Sequence, residues 1–181
     1  MKGHICYSYW NGHNRKKLMK NSYFLTTDFS KKLFSLKTKQ EQIEAVLICP
    51  ERIYSFKNPC EEVQLAAIRT DHHSLRFIKN PTRRAQKEAI YLRACNIEYI
   101  KNPGKEIQLF AVSCDPYVIM LRSDFCEEAQ VLAVKKNPRL IEEIVNPCEE
   151  AQLTAVMQDM KWYKHIKNPT ENVQMLVKLS V

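Results

Sequence analysis

The stretch Asn58-Pro59-Cys60-Glu61-Glu62-Val63-Gln64-Leu65-Ala66-Ala67-Ile68 is repeated, with substitutions, along most of this chain. It returns at Asn80-Pro81, Asn102-Pro103, Asp124-Phe125, Asn146-Pro147 and Asn168-Pro169, with an eroded first copy around Gln42. Its glutamine measures the period: Gln42, Gln64, Gln86, Gln108, Gln130, Gln152 and Gln174 stand 22 residues apart. A fixed period of this length is the signature of a stacked architecture, in which each unit buries its apolar face only against its neighbours.

Each unit reads as two short helices. Asn-Pro marks the first start, with asparagine as N-cap and proline, which has no N–H to leave unbonded, at the first helical position. Glutamate three residues on would complete a capping box in Asn58/Glu61, Asp124/Glu127, Asn146/Glu149 and Asn168/Glu171. Apolar residues then recur three and four after the glutamine, as in Ala67/Ile68, Ala89/Ile90 and Ala155/Val156, which is a helical stripe. Alanine at one phase from Ala45 to Ala155 predicts a close approach between helices. A second helix is expected about eight residues after the glutamine, at the phase of Pro50, Pro116 and Pro138, with an apolar pair such as Ile53/Phe56, Leu75/Ile78 and Ile97/Ile100. Arg122 breaks that pair in one copy. All eight prolines fall at the two helix starts, as they must if proline inside a helix costs about 3 kcal/mol. The expected fold is an all-α solenoid of about seven two-helix repeats over residues 36–181, preceded by a basic, aromatic cap segment over residues 1–35.

Composition narrows the function classes. Apolar residues make up 45% of the 181, ample for a core, and three glycines are too few for a fold rich in tight hairpins. No apolar run approaches the roughly 18 residues that cross a bilayer, and the N-terminus lacks the apolar block of a signal peptide. A soluble, cytoplasmic protein with no membrane partner is expected. The seven cysteines lack Cys-x-x-Cys spacing, and Cys126 and Cys148, one repeat apart, lie too far from each other to bridge, so reduced thiols are expected. No Ser/His/Asp order, phosphate-cradling glycine loop or metal-ligand spacing occurs. His72-His73 reads as an exposed pair at the start of a second helix, and His4, Cys6 and His13 lack a fourth partner. Neither catalysis nor a cofactor or metal is implied.

Net charge is +8, and residues 1–40 hold nine bases against one acid, while residues 41–181 hold 19 of each. In the basic segment Tyr9, Trp10, Arg15, Lys16 and Lys17 combine rings that stack on bases with cations that pair with phosphates, although a first repeat also needs a cap of this mixed character. Within the array the two positions before the apolar stripe vary: Glu61-Glu62, Arg83-Arg84, Lys105-Glu106, Glu127-Glu128. Paired arginines oppose a helix macrodipole, so Arg83, Arg84, Lys87, Arg93, Lys101 and Lys105 form a basic zone that is either a partner-contact surface or a solvated variation. Lys57, Lys79, Lys101 and Lys167 precede successive Asn-Pro pairs and line one edge, where a helix C-terminus favours them anyway. The glutamine is read as structural, bonding the Asn-Pro turn of the next unit, because a residue that reads a partner repeat by repeat would have to vary.

The phrase around Gln64, with Ile97-Glu98-Tyr99-Ile100-Lys101-Asn102-Pro103 as its lead-in, resembles a 22-residue helical repeat of bacteriophage and bacterial proteins. Its usual form is Asn-Pro-Ser-Glu-Glu-Val-Gln-Leu-Ala-Ala-Val, and this chain places Cys, Thr or Gly where serine stands there. The resemblance covers residues 36–181 and carries no catalytic residues across. It implies a phage-type accessory protein that binds and blocks or modulates a host protein or nucleoprotein, a defence system such as a CRISPR effector among them. The other expectation, from charge alone, is an RNA- or DNA-binding solenoid that uses the basic N-terminus and the 83–105 zone.

Overall fold

The computed structural model describes residues 38–180. Over that span the chain alternates α-helices of nine or ten residues with 3-10 helices of five or six. The α-helices are α1 (Lys39–Ile48), α2 (Glu61–Thr70), α3 (Arg83–Leu92), α4 (Lys105–Cys114), α5 (Glu127–Lys136), α6 (Glu149–Gln158) and α7 (Glu171–Leu179). Between them lie η1 (Pro50–Ser55), η2 (His72–Phe77), η3 (Ala94–Tyr99), η4 (Pro116–Leu121), η5 (Pro138–Glu142) and η6 (Met160–His165). Each α-helix packs on the next α-helix, and each 3-10 helix on the next where η1 to η4 and η5 to η6 follow one another, so two layers run the length of the stack. The repeat array is therefore an all-α solenoid. None of the helices among the described residues is long and apolar enough to cross a membrane.

The second helix of each unit is 3-10 rather than α, and length explains it. Ten α-helical residues span about 15 Å. Six residues rise only about 9 Å as α but about 12 Å as 3-10, so the tighter helix returns the chain along its partner within a 22-residue period. Its apolar pair is spaced by three, matching three residues per turn: Ile53 and Phe56, Leu75 and Ile78, Ile97 and Ile100 are all buried. A single extended residue joins the layers in each unit, for example Asp71 at φ −149° or Arg93 at φ −160°.

The α-helices start two residues later than Asn-Pro implies. Their N-caps are Thr38, Cys60, Thr82, Gly104, Cys126, Cys148 and Thr170, and the expected Asn/Glu and Asp/Glu capping boxes do not form. A residue preceding proline is pushed away from helical backbone, and here Asn-Pro is a corner; Asn102 takes a left-handed φ of 50°. One box exists at Thr38/Glu41, where the Glu41 N–H donates to Thr38 Oγ1 at 3.2 Å and the Thr38 N–H to Glu41 Oε2 at 3.1 Å. Pro50, Pro116 and Pro138 do stand at the first position of their 3-10 helices.

The glutamine row clamps these corners. Gln152 Nε2 donates to the Pro147 carbonyl of its own unit at 2.9 Å, and its Oε1 accepts from the Thr170 N–H of the next at 3.0 Å. Gln64, Gln108 and Gln130 repeat the double contact with Pro59 and Thr82, Pro103 and Cys126, and Phe125 and Cys148. The alanine row from Ala45 to Ala155 is buried between α-helices, as expected. The cysteines among the described residues are free thiols.

Arg122, where the apolar residue is missing, finds a polar substitute. Its Nη1 donates to the Ile97 and Ile100 carbonyls at 3.2 and 2.7 Å, and its guanidinium forks onto Asp124 at 2.8 and 2.6 Å. This holds the Asp124 carboxyl below its ordinary range. Beside it a cleft of about 230 Å³ opens between η4 and η5, lined by Met120, Leu121, Phe125, Ile144 and Val145.

Candidate functional site

The alternation of layers produces two different edges. One is the corner where each α-helix runs into its 3-10 helix. The other is the Asn-Pro corner leading into the next α-helix.

On the α-to-3-10 edge, positions five and six after the glutamine are exposed in every described unit and change from unit to unit: Leu47-Ile48, Arg69-Thr70, Tyr91-Leu92, Ser113-Cys114, Lys135-Lys136, Met157-Gln158. Large apolar side chains stand fully in solvent there, with Ile48 at 77%, Tyr91 at 76% and Met157 at 76% exposure. Tyr117 and Met160 add to the row from the first turns of η4 and η6. The sequence reading did not pick out these residues. The signal was present as an apolar or aromatic residue recurring at a phase that the buried stripe does not use.

The basic zone at the start of α3 is knitted into its neighbours. Arg83 Nη1 pairs with Glu106 in the following unit at 2.8 Å, and Arg84 Nη1 reaches Glu61 in the preceding one at 3.6 Å. Lys87 also pairs with Glu106, and Lys105 meets Glu128 at 2.5 Å. Lys39 and Glu62 make the same cross-unit contact at 3.1 Å, and Glu62, held by its own backbone N–H and by Lys39, is lowered to about 2. Lys87 holds Glu106 below its ordinary range, and Glu128 raises Lys105. Pairs this exposed are screened by water and add little to stability, so their main effect is on charge: Glu61, Glu106 and Glu128 offset half of the zone's six bases. Arg93 and Lys101 are exposed and have no acidic partner among the described residues.

The Asn-Pro edge carries Lys57, Lys79, Lys101 and Lys167, all exposed and likewise without an acidic partner among the described residues; Ser123 and Val145 interrupt the row. Tyr9, Trp10, Arg15, Lys16 and Lys17, together with the cap segment 1–35 and His4, Cys6 and His13, lie outside the described residues. His72 and His73 do open η2, but they are half-buried rather than exposed.

No family model matches the chain, and no curated protein or solved structure matches it.

Proposed function

We propose that this protein is a non-catalytic binding scaffold, and that its α-to-3-10 edge grips a protein or a nucleoprotein. The observation that carries the reading is a division of labour within the repeat. The positions that do not vary, such as glutamine and alanine, are consumed in holding units together. Those on this edge vary from unit to unit; Arg69, Lys136 and Gln158 bond an adjacent unit, while Ile48, Tyr91 and Met157 stand exposed outside the buried stripe. Exposed aromatic and aliphatic rows of this kind characterise protein interfaces more than nucleic-acid ones. The resemblance to phage-type repeats supports a host factor as partner, bound so as to block or modulate it.

The reading is tested by capture with the tagged full chain from a bacterial lysate, with and without nuclease. A stoichiometric protein complex that survives nuclease and is lost in a Tyr91→Ala/Met157→Ala variant of unchanged melting temperature is the expected result. Recovery of no partner, or equal recovery by the variant, counts against it. The unpaired row Lys57, Lys79, Lys101 favours a second reading, contact with a phosphate backbone. In that case a low-salt mobility shift should weaken steeply with added salt and in Lys57→Glu/Lys79→Glu/Lys101→Glu.

A further inference from the structure

Asp71, His72 and His73 close α2 and open η2, and one donor atom from each lies within 4.8 Å of the other two. All three residues are half-buried. The imidazole centroids are 4.1 Å apart, and His72 Nδ1 lies 3.1 Å from Nδ2 of Asn96, a side chain wholly buried in the next unit. Two atoms at this corner lack what buried polar atoms require. His73 Nδ1 and the Ser74 hydroxyl have neither accessible surface nor a hydrogen-bond partner. Leaving such a group unsatisfied costs about 1–3 kcal/mol.

The repeat itself does not ask for these residues. At the phase of His72 the other units carry Pro50, Ala94, Pro116, Pro138 and Met160; at that of His73 they carry Glu51, Cys95, Tyr117, Arg139 and Lys161. Two histidines and a carboxylate converge in one unit only.

We propose that Asp71, His72 and His73 form a binding site for a divalent transition cation of the zinc class. Imidazole nitrogen with one carboxylate is the donor set such ions prefer over calcium or magnesium. Arg76 and Arg93 lie close enough to His73 to repel a cation. Asp71 opposes them: its Oδ1 accepts from the His73 N–H at 2.9 Å, and its second oxygen remains for the metal. Three protein ligands leave at least one position for water or for a donor atom of a partner, and the site lies on the edge that carries the apolar row.

Cobalt(II) is the probe, titrated into the metal-free full chain and followed by absorption. One cobalt per chain is expected, with ligand-field bands of an N/O site and without the charge-transfer band of thiolate ligation. Two substitutions borrow residues that other units already hold at the same phases. His72→Ala copies Ala94, and Asp71→Asn copies Asn137, whose Oδ1 accepts the Arg139 N–H at 3.2 Å and so keeps the cap. Each should weaken cobalt binding about tenfold or more, and Asp71→Asn, which keeps the cap, should do so with the metal-free melting temperature unchanged. No binding in the micromolar range, a thiolate band, or wild-type affinity in either variant overturns the assignment.

Discussion

In four units one amide ties its own corner to the next, at Gln64, Gln108, Gln130 and Gln152, and its loss leaves both corners without that partner. Gln152→Ala strands the half-buried Pro147 carbonyl and Thr170 N–H and should cost about 1–3 kcal/mol, read as a lower urea midpoint. Gly104 offers the opposite case. Its φ of −63° suits any residue, and an added Cβ meets nothing within 4 Å, so Gly104→Thr, copying Thr82, should stabilise α4 by about 0.5–1.5 kcal/mol. Asp124 supplies a pH signature. Its folded-state carboxyl sits below the ordinary range because of Arg122, so ionisation favours the folded state; that stabilisation is present above about pH 4 and lost as the pH falls through the folded value. Urea midpoints measured at pH 6 and pH 3 should therefore differ less in Asp124→Asn than in the parent. The glutamine's task was legible in the sequence because it never varies, which a reading device would have to do. The caps were not: Cys60, Cys126 and Cys148 are poor capping residues by composition, and Asn-Pro imitates a helix start while making a corner.

Helix pairing was likewise legible, whereas the kind of second helix was not. The apolar pair separated by three, without a companion at four, is the trace a 3-10 helix leaves, but over six residues it differs little from one face of a short α-helix. What decides is the return length, which depends on how far α1 to α7 extend and is known only once their ends are placed. Thr82 gives α3 its start through a 3.2 Å bond to the Ala85 N–H, and Thr82→Ala should cost about 1 kcal/mol by thermal or urea unfolding. The paired arginines looked anomalous for the same reason as the caps. Arg83 answers Glu106 and Arg84 answers Glu61, contacts 23 residues away in either direction that a one-unit reading does not bring together.

Because units touch only their neighbours, whole units should be removable without loss of the fold. Deleting residues 105–126 joins Gly104 to Glu127 in phase; the product should keep its helicity per residue and a single unfolding transition, with an m-value lower by about one-seventh. The exposed row that carries the proposed interface is present in the sequence as a recurring apolar phase, but residue type alone does not say that this phase faces outward, which depends on how each helix is turned. The two layers also differ in stiffness. Hydrogen bonds of 3-10 geometry are the weaker kind, and links of a single residue such as Asp71 or Asp115 leave no slack to absorb strain. A bending load is therefore taken up by winding or unwinding η1 to η6 while the α layer keeps its length. The 3-10 face is thus the compliant side of the stack, and the α face its stiff one.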